Sequence, residues 1–150
     1  MWYSKTDVIF APRNRDSSYI ILIGINCDMI FSKKIELSII VPVYCSAEII
    51  PILVERIDDV FVKNNINVEL LLVDDGSADD SFSVIQSVAS KFSWVRGFKH
   101  SRNFGQQAAI WTGLTHSKGE IIGIMDDDMQ DPPEALHSLY QKIGEGYDVV

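Results

Sequence analysis

Carboxylates are unevenly spread along this chain of 150 residues: Asp74, Asp75, Asp79 and Asp80 form one group, and Asp126, Asp127, Asp128 and Asp131 another. Such groups mean either a solvated turn or a cation site. Asp126 and Asp128 lie two apart, so in an extended segment their side chains project to one face while Asp127 points away. Two hard-oxygen ligands on one face suit a single Mg2+ or Mn2+, ions commonly held by one or two carboxylates together with phosphate oxygens of a ligand. At a strand end the Asp-x-Asp spacing therefore implies an anionic diphosphate, whereas by itself the triplet is equally a surface cluster. A cation held there stabilises the negative charge of a departing diphosphate without needing a proton donor.

Other reactive side chains offer less. His100, His116 and His137 have no ligand spacing and read as ordinary surface or helix-end histidines. Trp94 and Trp111 fall in regular elements and read as core anchors rather than platforms for a ligand. Gly105 with Gln106 and Gln107 suits a tight strand-to-helix turn first and ligand contact second. Cys27 and Cys45 are too few for a disulfide framework and lack metal-ligand spacing, so both read as reduced thiols.

The elements that must position the carboxylates begin at Ile35. From there short apolar, β-branched runs alternate with amphipathic stretches of helical period, the pattern of a parallel sheet covered by helices. Strands are expected over Leu37 to Val43, Val68 to Val73, Trp94 to His100 and Glu120 to Met125. The second is apolar throughout except for Glu69, as in a strand buried on both faces. Helices are expected from about Ala47 to Asn64, with Ile50, Leu53, Ile57, Val60 and Phe61 on one face, from Asp80 to Ser90, from the Gly105 turn to about His116, and from Pro132. Ser77 or Asp79 caps the second helix. Both acidic groups then follow strands, at the edge of a parallel sheet where ligands bind. A fifth strand begins at Asp148 to Val150, so the fold is expected to be incomplete there. Residues 1–34 lack the pattern and read as an irregular extension; Met29 is a plausible natural start, with residues 1–28 poorly ordered or included by mistake.

Composition narrows the partners. Apolar residues make up 47% and charged residues 23%, the balance of a globular domain. A net charge of -8 repels nucleic acid and anionic lipid, so neither is an expected partner. The apolar stretch from Tyr19 to Phe31 is too short to span a membrane and carries Asn26 and Asp28, and no secretory signal is evident, which makes the cytoplasm the expected location.

Four segments, VPVYCSAE (41–48), LLVDDGSADDS (71–81), SRNFGQQAAIWTGL (101–114) and MDDDMQDPPEAL (125–136), together resemble glycosyltransferase family 2 over about residues 37–150. They are most similar to the branch that transfers sugars to polyprenyl phosphates. The resemblance implies an α/β GT-A domain with a Rossmann-like, mostly parallel sheet and flanking helices, a nucleotide diphosphate sugar donor, Mg2+ or Mn2+, and a polyprenyl phosphate or glycan acceptor. It places Pro42, Tyr44 and Glu48 beside the nucleotide base and ribose, Asp74 and Asp75 as the acidic pair reading the base, and Arg102 near the nucleotide. It gives Asp126 and Asp128 to the metal and the donor diphosphate, with Gln130 joining the metal site. The family usually has Asn-Glu directly after the first-loop aromatic residue; Cys45 and Ser46 replace them here. Two rivals stand beside this reading: a remnant that keeps the donor site without the acceptor half, and a phosphoacceptor receiver module, which needs a lone acceptor Asp and a later-strand Lys.

Overall fold

The chain divides into two units, Met1–Lys33 and Lys34–Val150. The computed structural model describes residues 34–147 and Val149, all in the second unit. The extension expected over residues 1–34 thus falls, Lys34 apart, outside the described residues, as do Cys27 and the two ends of the expected fifth strand, Asp148 and Val150.

Four strands, β1 (Leu37–Val43), β2 (Val68–Asp74), β3 (Val95–Lys99) and β4 (Ile121–Ile124), pair in parallel in the order β3-β2-β1-β4. Helices α1 (Ile50–Ile57), α2 (Ser81–Lys91) and α3 (Gln106–His116) connect them, and α4 (Pro133–Ile143) follows β4. β1 and β2 are buried at every position because helices cover both faces. On one face Ile39, Val41, Leu70 and Leu72 pack with Leu53, Ile57, Phe61 and Ile85. On the other, α3 approaches so closely that a Cβ on Gly113 would lie 2.3 Å from Ile40 Cγ2. The strand order also disposes of the receiver alternative, whose β3 lies beside β1; here β2 and β4 flank it.

The first helix is shorter than its apolar spacing predicts. It starts at Ile50, with Pro51 in its first turn, and after Ile57 gives way to a π-helical turn over Asp58–Val62, where Lys63 N–H donates to Asp58 O. The wider turn carries Phe61 fully into the core, and Val60, half-buried, packs against the same cluster, as the apolar spacing predicts. Trp111 is a second correction: expected as a core anchor, it is 68% exposed. α3 meets the sheet through Ala109 and Gly113, and a residue two positions on from Ala109 falls on the opposite side of the helix. Trp94 does pack against the core.

Glu69, the one acidic residue within the buried β2 run, accepts hydrogen bonds from Ser38 Oγ (2.7 Å), Arg96 Nη1 (2.8 Å) and the Lys118 N–H. Burial works to raise its pKa, but these bonds outweigh it and hold the carboxyl below the ordinary glutamate range. The cluster ties β1, β2 and β3 to the segment between α3 and β4. At the edge of the described sheet, Ile122 and Ile124 of β4 are exposed and form an apolar groove with Leu136, Leu139 and Ile143 of α4.

Candidate functional site

In a doubly wound sheet, ligands lie beyond the carboxyl ends of the strands where the strand order reverses. That point here is between β1 and β4: the chain steps outward from β1 to β2 and β3, and α3 carries it back to the other side of β1. A cleft of about 340 Å³ occupies the place. It is lined by Pro42 and Val43 at the end of β1, Tyr44 just after it, Asp75 after β2, Asn103, Gly105 and Gln106 at the start of α3, and Asp126, Asp127 and Asp128 after β4. Because all strands are parallel, Asp74, Asp75, Asp126 and Asp128 gather at one edge of the sheet, as expected.

The two carboxylates after β2 have different surroundings. Asp74 is fully buried; its Oδ1 accepts the Ser77 N–H at 3.0 Å and its Oδ2 has no hydrogen bond, with Lys99 Nζ 3.7 Å away. It fixes the turn and does not line the cleft. Asp75, 4% exposed, does. Its Oδ1 accepts from His100 Nδ1 (2.8 Å) and the Phe104 N–H (2.9 Å), and its Oδ2 from the Gly105 N–H (2.7 Å). Burial pushes its pKa up, but the three hydrogen bonds prevail and keep it below the usual aspartate range. Gly76 makes the close approach possible: its φ is +71°, and a Cβ there would sit 2.4 Å from the Arg102 carbonyl carbon.

The acidic triplet departs from the two-residue alternation. β4 ends at Ile124, and the chain then turns, with Met129 at φ +61° and the Gln130 N–H donating to Asp128 Oδ1 at 2.9 Å. Asp127 therefore does not point away; it lines the same cleft, and its Oδ2 accepts the Tyr44 N–H at 3.3 Å. Asp126 Oδ1 accepts from Gln106 Nε2 at 2.7 Å. Asp126 and Asp128 are exposed.

The loop after β1 is held by side chains from elsewhere. The Cys45, Ser46 and Ala47 N–H groups donate to Ser77 Oγ, Ser81 Oγ and Asp79 Oδ2. Cys45 takes φ +55° in this loop. Asp79 also accepts the Ser81 N–H, but Asp80 holds the cap position of α2 and no side chain caps it, so neither Ser77 nor Asp79 is the expected cap. Glu48 lies in a separate depression with Asp79 and Asp80, and Arg102 stacks over the Phe104 ring at 4.7 Å; neither they nor Gln130 are among the cleft-lining residues.

Two residues that shape the site were undervalued from spacing: His100, which lies behind Asp75, and Gln106, read as a turn residue first. His100, expected at the surface, is half-buried and bridges Asp75 to Thr112 Oγ1, with Nε2 at 2.8 Å. The available signal was register, since parallel β2 and β3 end together, with Asp74 opposite Lys99, and so bring Asp75 beside His100. Gln106 could have been read from its place at the first position of a helix that starts where two acidic loops meet.

The chain matches the glycosyl transferase family 2 profile over residues 38–150. The chain belongs to this family. It is 39% identical over 116 residues to the undecaprenyl-phosphate 4-deoxy-4-formamido-L-arabinose transferase of Klebsiella pneumoniae (strain 342), covering 77% of this chain and 36% of that protein. It is equally similar, over 119 residues, to the uncharacterized glycosyltransferase YkcC of Bacillus subtilis (strain 168), covering 79% of this chain and 37% of the relative. This chain thus spans little more than a third of the length of these relatives. Among solved structures, the Pyrobaculum calidifontis mannosyltransferase PcManGT, in complex with GDP-Man and Mn2+, superposes with a TM-score of 0.56 at 26% identity, over 62% of this chain and 27% of that one. The TarS 1-349 structure from S. aureus gives 0.61 at 25% identity, over 73% of this chain and 32% of that one. The fold is therefore a GT-A-type parallel sheet with flanking helices, represented in part. Among the described residues no helix is long and apolar enough to cross a membrane.

Proposed function

We propose that residues 35–150 form the donor-binding part of a glycosyltransferase that moves a sugar from a nucleotide diphosphate to a polyprenyl phosphate at the cytoplasmic face of a membrane, with residues 1–34 an extension to it. The observation that carries this reading is the placement of three neighbouring carboxylates and Asp75 around one cleft at the β1–β4 switch point. Membership of glycosyl transferase family 2 and the relatives named as undecaprenyl-phosphate sugar transferases support the transfer and the acceptor.

The donor set fits Mg2+ or Mn2+. Asp126 and Asp128 are exposed hard-oxygen ligands with Gln130 close by in sequence, and among the described residues no group of three or more His, Cys, Asp or Glu could hold a metal alone. An ion bound by so few protein ligands completes its shell with phosphate oxygens. When bound, it supplies neutralisation of the charge that grows on the departing nucleoside diphosphate. The chain's own residues prepare the place. Gln106 orients Asp126, and Asp127 ties the Tyr44 backbone to the acidic wall. Tyr44, 53% exposed, offers its ring beside Pro42 for a nucleotide base, and Asp75 offers an acceptor to a base N–H. The phosphate of a polyprenyl acceptor is already ionised and attacks without a general base.

Calorimetric titration of UDP and GDP in Mn2+, in Mg2+ and in chelator tests the reading. Binding is expected only with a divalent ion. Equal binding in chelator removes the metal role assigned to Asp126 and Asp128, and no binding of either nucleotide removes the donor site.

A further inference from the structure

We infer that His100, held by Thr112, is a positioning residue that reserves one oxygen of Asp75, so that the carboxylate offers the cleft a single acceptor and favours a base presenting one N–H over a base presenting two. The inference rests on the proposed nucleotide-binding role of the cleft and deepens it.

Hydrogen-bond counting carries the argument. An ionised carboxylate accepts at about four lone-pair positions, two on each oxygen. His100 Nδ1 and the Phe104 N–H fill both positions of Asp75 Oδ1, and the Gly105 N–H fills one of Oδ2. One position, on Oδ2, stays open. The same count fixes the imidazole. A carboxylate can only accept, so Nδ1 carries the proton, and Nε2 faces the Thr112 hydroxyl at 2.8 Å, which can either donate or accept. Thr112 lies within α3, which packs on β1 and β2, so the ring is braced by a fixed element instead of a loop. The edge of the Phe104 ring closes against the imidazole at 5.6 Å between centroids.

The consequence concerns which base fits. Guanine presents N1–H and an amino N–H side by side and grips a carboxylate through both oxygens; uracil presents one imide N–H. With Oδ1 saturated, Asp75 can serve the second pattern and not the first. A site built to hydrogen-bond one pattern rejects ligands whose buried polar groups are left unpaired.

The test measures UDP and GDP affinity in Mn2+ for the wild-type chain, His100→Leu and His100→Asn, with thermal unfolding alongside. Wild type is expected to prefer UDP by about tenfold or more. His100→Leu frees a position on Oδ1, weakens UDP binding and narrows the preference by at least about threefold. His100→Asn restores it, because its amide N–H can replace the Nδ1 donor. A general loss of stability would weaken both nucleotides alike and leave their ratio unchanged, so an unchanged ratio in His100→Leu overturns the role whatever the melting temperature does. Should His100→Leu not fold, Thr112→Val removes only the outer hydrogen bond and is expected to narrow the ratio in the same direction. Nitrogen-15 NMR of the wild-type imidazole is expected to show the proton on Nδ1, and a proton on Nε2 alone overturns the inference. A wild-type chain that binds UDP but not in preference to GDP also overturns it, whereas one that binds neither overturns the nucleotide reading beneath it and the role with it.

Discussion

Asp75 and Asp128 line the same cleft from opposite sides of β1, and their surroundings have little in common. Asp75 is almost wholly buried and meets three donors from the segment between β3 and α3. Asp126 and Asp128 are exposed and each accepts a single hydrogen bond, from Gln106 Nε2 and the Gln130 N–H. The difference shows what sequence identity conceals: a carboxylate whose acceptors are filled by the protein shapes a site, and one whose acceptors are open is available to a ligand. The wall after β2 therefore serves the fold first, and the wall after β4 is the one to which the proposed function assigns the ligand.

Neutralising the open wall should separate binding from folding most sharply. In the double variant Asp126→Asn with Asp128→Asn, nucleotide affinity in Mn2+ should fall by about 100-fold, or roughly 2.7 kcal/mol. Its urea unfolding free energy should stay within about 0.5 kcal/mol of wild type, as for surface substitutions. A large stability loss in that variant would break the comparison.

The closed wall should behave in the opposite sense. Asp75→Ala strands His100 Nδ1–H and two backbone N–H groups, and should cost about 2 kcal/mol of stability at neutral pH. The folded-state pKa of Asp75 is lowered, so its contribution is complete above the unfolded value and is lost as pH falls through the folded one. Urea titrations should show the gap between wild type and Asp75→Ala closing as the pH drops below about 4. A gap that stays constant down to pH 2 would mean that the carboxylate charge has no part in it.

The smallest effect lies in the loop after β1, which touches both walls. Cys45 holds φ +55°, a region that Asn enters far more readily than Cys. Cys45→Asn should stabilise the chain by about 1 kcal/mol, the low end of the cost of such backbone strain. Chemical unfolding of that variant beside Cys45→Ala, which relieves nothing, would sharpen the point.

Much of this was legible in the sequence, for reasons that differ by residue. β1 and β2 could be read because strands buried on both faces are apolar throughout, and the strand ends placed Asp74, Asp75, Asp126 and Asp128 at one edge. Asp127 was misplaced because the two-residue alternation holds only while the backbone is extended, and β4 stops at Ile124 before the triplet begins. Trp111 misled because α3 packs through Ala109 and Gly113, small residues that carry little weight in an apolar pattern. His100 was passed over because its partner lies 25 residues earlier, and only the β2–β3 register brings the two together.

The position of β1 between β2 and β4 also gives its two pairings very different loop lengths. β1 and β2 are joined by a short crossover, whereas pairing Leu37 with Ile121 must close a loop of roughly eighty residues and forfeits more chain entropy before any contact compensates. The cleft straddles that boundary, with one side on a pairing that closes a short loop and the other on a pairing that closes a long one, so contact order predicts that its carboxylates come together late in folding.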